Sequence, residues 1–211
     1  MTLGIEPILK TAPVIPVLVI DDITTGVTLA RHLVDAGLKV LEITLRTPVA
    51  LGAISAIREA LPQAIVGAGT VLDEDHVQDA CAAGAQFLVS PGATAALLDA
   101  VSEIDVPLLP GASTASEAMR LLERGYHHLK FFPAEAAGGA AMLRSLAGPL
   151  PQLSFCPTGG ITPDKAKTYL ALPNVACVGG SWMATPELIR RADWDAISTL
   201  ARAAAQMNTP A

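Results

Sequence analysis

Short apolar runs rich in β-branched residues alternate with Ala- and Leu-rich segments of helical period along the whole chain. The pattern predicts strands over residues 15–20, 40–45, 65–70, 87–91, 107–111, 128–133, 154–158 and 175–180. Their starts lie 20 to 26 residues apart, room for one strand, one helix and two short loops. The runs are nearly continuous in apolar residues rather than alternating, as parallel strands covered on both faces require.

Helix boundaries are written in the same rhythm. Asp73 precedes an Ala-rich segment. Thr94, Thr114 and Thr162 stand where N-caps belong, the last followed by Pro163 at the first helical position. Gly37, Gly84 and Gly125 follow helix-like segments, at the usual C′ site. Eight strand–helix units predict an α/β fold, a single (β/α)₈ TIM barrel domain over residues 1–211, with 204–211 fraying. A doubly wound sheet is the alternative. The even repeat and the lack of a Gly-x-Gly-x-x-Gly turn after the first strand count against it.

Composition narrows the class. Apolar residues are 51% and charged residues 16%, which excludes a disordered chain. Mean hydropathy is +0.46, high enough to raise a membrane protein. The longest uncharged stretches, 80–98 and 168–186, are broken by Gly, Pro and Asn, so they read as buried strands and turns. The net charge of −6, without a basic run, argues against nucleic acid. The N-terminus shows no secretory signal. Cys81, Cys156 and Cys177 lack metal-ligand spacing and read as reduced, buried thiols, which points to the cytoplasm.

In such a barrel, chemistry sits at the C-terminal strand ends. The sixth strand carries Lys130 within an apolar run, His127-His128-Leu129-Lys130-Phe131-Phe132-Pro133. A lysine there either reaches water or is held buried, and burial favours the neutral amine that attacks carbonyls. The second strand offers Glu42, Thr44 and Arg46 on one side; a structural Glu42–Arg46 ion pair is the plainer reading. Thr70 ends the third strand behind small residues. Ser90-Pro91-Gly92 and Pro110-Gly111 are turn chemistry, with Pro91 at the rim where substrate contacts belong. The seventh strand ends Thr158-Gly159-Gly160 and the eighth Gly179-Gly180-Ser181. Paired glycines before helix N-termini expose N–H groups suited to a phosphate. His, Asp and Glu are not grouped as a divalent metal site, so a metal-free site without a cofactor is expected.

The strings Val40-Leu41-Glu42-Ile43-Thr44-Leu45-Arg46-Thr47, Ile65-Val66-Gly67-Ala68-Gly69-Thr70-Val71, Lys130-Phe131-Phe132-Pro133-Ala134-Glu135, Phe155-Cys156-Pro157-Thr158-Gly159-Gly160-Ile161 and Val178-Gly179-Gly180-Ser181-Trp182 resemble the bacterial 2-keto-3-deoxy-6-phosphogluconate (KDPG) aldolases, which often also cleave 4-hydroxy-2-oxoglutarate. The resemblance covers nearly the whole chain. It implies a cytoplasmic, homotrimeric class I aldolase of the Entner–Doudoroff route, acting on a 2-keto-3-deoxy sugar acid phosphate and releasing pyruvate. It implies Lys130 as the Schiff-base residue and Glu42 as the proton-transfer group. Arg46, Thr70 and Thr158 would hold the pyruvate part, Gly159, Gly160, Gly180 and Ser181 the phosphate, and Phe132 the reacting carbons. The galactonate epimer as substrate, a metal-dependent barrel lyase and a sugar-phosphate-binding barrel without catalysis stay open.

Overall fold

The computed structural model describes residues 4–207. The chain runs α1 (Ile5–Leu9), β1 (Val14–Leu18), α2 (Ile23–Asp35), β2 (Val40–Thr44), α3 (Ala50–Ala60), β3 (Ile65–Gly69) and α4 (Glu74–Ala82). Next come β4 (Leu88–Val89), α5 (Ala95–Ser102), β5 (Leu108–Leu109), β6 (Gly111–Ala112), α6 (Ala115–Glu123), β7 (His128–Phe131) and α7 (Gly139–Ala147). β8 (Ser154–Pro157), α8 (Pro163–Leu170), β9 (Val178–Gly180), α9 (Pro186–Arg190) and α10 (Trp194–Ala205) complete it. Among the described residues, no helix is long and apolar enough to cross a membrane.

Every strand pair is parallel. The strands form a six-stranded sheet, β5-β4-β3-β2-β1-β9, and a three-stranded sheet, β6-β7-β8. This differs from the single eight-stranded closed sheet expected from the repeat. The fifth predicted strand is split at Pro110, which has no N–H to give to a ladder. Before it, β5 pairs with β4; after it, β6 pairs with β7. The Pro110 carbonyl still accepts from the Lys130 amide at 2.9 Å. On the other side, isolated bridges Phe155↔Val175 and Thr158↔Gly179 link β8 to the β9 segment. The eighth predicted strand is correspondingly shorter, starting at Val178.

The caps follow the sequence. Asp73, Thr94, Thr114 and Thr162 each accept a backbone N–H at their helix start. Thr114 and Glu117 form a reciprocal capping box. Gly37, Gly84 and Gly125 all have positive φ just past a helix. The fraying expected from residue 204 is not seen at its start: α10 runs to Ala205 and Ala204 is fully buried beside Ile197 and Ala201. Residues 208–211 lie outside the described part.

Two apolar clusters hold the fold. The larger one lies between strands and helices. The smaller one gathers Ile15, Val40, Phe87, Val89, Leu109, Cys156 and Cys177 with Ile8 and Leu9 of α1. Strand residues from both sheets thus meet one another, and α1 covers them at the end away from the strand C-termini.

Candidate active site

Lys130 and Glu42 stand on different sheets, in β7 and β2, yet their side chains meet. Lys130 Nζ donates to Glu42 Oε1 at 3.0 Å. Only 4% of the lysine side chain and 5% of the glutamate side chain are exposed. The reading in which the lysine head group reaches water is therefore excluded, as is Glu42 serving as the ion partner of Arg46. A β-carbon on Gly69 would overlap Glu42 Oε1 and lie 2.6 Å from Glu42 Cγ, so the carboxyl fits only over a glycine. The Phe132 ring centroid is 5.3 Å from Lys130 Nζ, within cation–π range. The Phe132–Pro133 peptide is cis.

The three alternating polar residues of the second strand part company. Thr44 is buried and donates to the Leu18 carbonyl at 2.9 Å. Arg46 lies past the end of β2, in a turn, and is exposed. Its Nε donates to Thr70 Oγ1 at 3.2 Å. Thr70 holds a φ of +63°, a left-handed conformation that is costly for a β-branched residue.

At the ends of β8 and β9 the glycines have separate reasons. Gly159 and Gly160 turn at φ +108° and +73°. Gly159 lies against Phe132, whose ring carbons would be 3.4 Å from a β-carbon there. Gly179 accepts the close approach of Thr158, and Gly180 that of the Trp182 ring; a β-carbon at either would overlap these side chains. Thr158 is buried, Ser181 exposed, and Pro91 half-buried with its carbonyl against Gly111. The structure thus groups Lys130, Glu42, Phe132, Gly159, Thr158 and Gly179, and pairs Arg46 with Thr70. Pro91 and Ser181 stand at strand ends without a side-chain hydrogen bond to that group among the described residues.

Two features were not legible beforehand. Ser90, taken as part of a turn, is fully buried and accepts the Gly111 amide at 3.4 Å. Glu135 takes a 2.6 Å hydrogen bond from Tyr169, 34 positions away, and pairs with Lys165 at 2.6 Å. Cys156 is the register partner of Lys130 across β7 and β8, and contact with Cys156 and burial push the Cys177 thiol well up, away from the reactive thiolate. Among the described residues no group of three His, Cys, Asp or Glu is placed to hold a metal ion. A surface cleft of about 570 Å³ at α1 and the strand starts, beside Glu6, Asp105, Tyr126 and His128, includes none of the candidate residues.

The sequence around this buried amine and carboxylate matches a known family. The model for "KDPG and KHG aldolase" fits residues 5–200. The chain belongs to the KDPG and KHG aldolase family. The "KHG/KDPG aldolase" of Escherichia coli (strain K12) is 49% identical over 201 residues, 95% of this chain and 94% of that protein. The "2-dehydro-3-deoxy-phosphogluconate aldolase" of Pseudoalteromonas atlantica is 48% identical over 199 residues, covering 94% and 93%. Among solved structures, the KDPG aldolase of Legionella pneumophila, with pyruvate captured at low pH as a covalent carbinolamine intermediate, superposes with a TM-score of 0.92 at 46% identity, covering 94% of this chain and 97% of that one.

Proposed function

We propose that this member of the family is a class I aldolase that cleaves KDPG to pyruvate and glyceraldehyde 3-phosphate, with Lys130 as the Schiff-base residue and Glu42 as its acid–base partner. The observation that carries this reading is the buried 3.0 Å contact between Lys130 Nζ and Glu42 Oε1. A carboxylate at that distance can take the ammonium proton and leave a nucleophilic amine. The covalent pyruvate adduct of the Legionella relative supports the same chemistry.

The amine adds to the C2 ketone, and loss of water gives an iminium. Glu42, directly or through a water, removes the C4 hydroxyl proton. The C3–C4 electron pair moves into the iminium, which releases glyceraldehyde 3-phosphate and leaves an enamine. Glu42 returns a proton to C3, and water hydrolyses the new iminium to pyruvate and free Lys130. Phe132 packs against the reacting carbons. Arg46, Thr70 and Thr158 hold the pyruvate end, and Pro91 is a further substrate contact at the rim. Gly159, Gly160, Gly180 and Ser181 hold the phosphate, with the start of α8 lending partial positive charge. Each step is carried by the side chains named.

Cleavage of 4-hydroxy-2-oxoglutarate is a second activity of the same site. It shares the pyruvate end, and the E. coli relative bears both names.

The reading extends to the architecture. The two sheets make one closed eight-stranded barrel forming a single domain, supported by chain continuity through Pro110 and by the β8–β9 bridges. The enzyme is a cytoplasmic homotrimer; exposed Val19, Ile23, Leu72 and Met119 offer apolar surface for association. The test is release of pyruvate and aldehyde from KDPG, its galactonate epimer and 4-hydroxy-2-oxoglutarate. KDPG should show the highest kcat/KM. Tight binding of all three without cleavage would overturn the reading.

A further inference from the structure

A turn of two glycines cannot hold a phosphate at a fixed place by itself. Gly159 and Gly160 have no side chains and both sit at positive φ, so the order of this loop must come from its neighbours. Three kinds of contact reach it from one residue, Glu135, on the connection between β7 and α7. The Glu135 amide donates to the Gly159 carbonyl at 3.2 Å, next to the Ala134 amide on the Thr158 carbonyl at 2.8 Å. Its Cβ and Cγ fill the space beside Gly160, where a β-carbon would lie 3.1 and 3.0 Å from them. Its carboxylate reaches α8, the helix that follows the loop. Tyr169 Oη donates to Oε1 at 2.6 Å, and Lys165 Nζ lies 2.6 Å from Oε2.

The two halves of that clamp are unequal. Lys165 is half exposed, and exposed pairs contribute little. Its charge nevertheless balances the carboxylate beside the phosphate site. Tyr169 is buried. Its phenol pKa is raised, by burial first and by Glu135 second, so it remains a donor at neutral pH. Without an acceptor this hydroxyl would be left out of water and unpaired.

We propose that Glu135, braced by Tyr169, is a positioning residue for the phosphate end of the substrate. It fixes the Gly159–Gly160 loop relative to the strand that carries Lys130, five residues upstream, so that phosphate binding and imine formation engage one molecule together. This inference rests on the function proposed above.

The experiment compares KDPG with its dephosphorylated analogue. Tyr169→Phe keeps the ring volume and Glu135→Ala removes the acceptor. Each should raise KM for KDPG about tenfold with kcat nearly unchanged, the sign of lost binding rather than lost chemistry. Glu135→Gln keeps an acceptor for Tyr169 and should stay within about threefold of the parent. The dephosphorylated analogue should be turned over alike by parent and variants. Thermal melts check that Tyr169→Phe is folded. A parent enzyme that discriminates for the phosphate, with variants that match it or lose both substrates equally, would overturn the inference alone. A parent enzyme indifferent to the phosphate would overturn the phosphate site and this inference together.

Discussion

Replacing Lys130 by Met should destabilise the enzyme far more than losing one hydrogen bond. Met follows the lysine stem in size, so little cavity is left. What remains is the Glu42 carboxylate, 5% exposed, without its cation. Removing one partner of a buried pair costs about 3–5 kcal/mol. For a chain of this length that is a fall in Tm of roughly 6–20 °C. Glu42→Met strands the ammonium instead and should cost a similar amount. Lys130→Met/Glu42→Met removes both charges and should return to within about 2 kcal/mol of the parent, because apolar replacement of a buried pair is often neutral. Urea unfolding at one fixed chain concentration measures all four proteins. The expected coupling is at least about 4 kcal/mol; additivity within about 0.5 kcal/mol would refute a desolvated pair.

Other consequences are as direct. Ser181→Asp places a carboxylate at an exposed turn and should raise KM for KDPG more than about tenfold while sparing 4-hydroxy-2-oxoglutarate; equal effects on both would remove Ser181 from the phosphate site. Thr70→Gly relieves the φ of +63°, so Tm should hold or rise by an amount equivalent to about 1 kcal/mol while kcat/KM falls; unchanged kinetics would show that the hydroxyl holds no substrate. Burial lowers the His128 pKa and outweighs the pull of Glu6 in the other direction. The folded state thus binds fewer protons there, and the stability it contributes, present above about pH 6.5, is lost as the pH falls through that value toward the folded one. Thermal melts should show a steeper acid decline for the parent than for His128→Gln; parallel curves would contradict it.

The parts that sequence made visible are those encoded locally. Thr114 caps α6 because Glu117 lies three residues on, and Gly37 ends α2 because φ is positive there. Lys130 stood out because an ammonium among Leu129, Phe131 and Phe132 is anomalous. Long-range pairings were invisible. Nothing in the spacing of Glu42 and Lys130, 88 positions apart, says that they touch rather than Glu42 and Arg46. Alternation put Arg46 on the inner side, but β2 ends at Thr44 and a turn carries Arg46 to Thr70. Pro110 was visible, yet its effect, two sheets where one was expected, depends on which neighbour each half of the strand meets. The Tyr169–Glu135 strut joins two units of the repeat and has no local signature.

The most direct test of the account is covalent trapping. The protein is incubated with pyruvate, reduced with sodium borohydride, digested and mapped by mass spectrometry. A buried amine 3.0 Å from a proton acceptor should form the imine, so the reduced pyruvyl adduct is expected on Lys130, with activity lost in proportion to labelling. An adduct on Lys165 or Lys167, or full activity after reduction with no adduct at all, would contradict the Schiff-base mechanism.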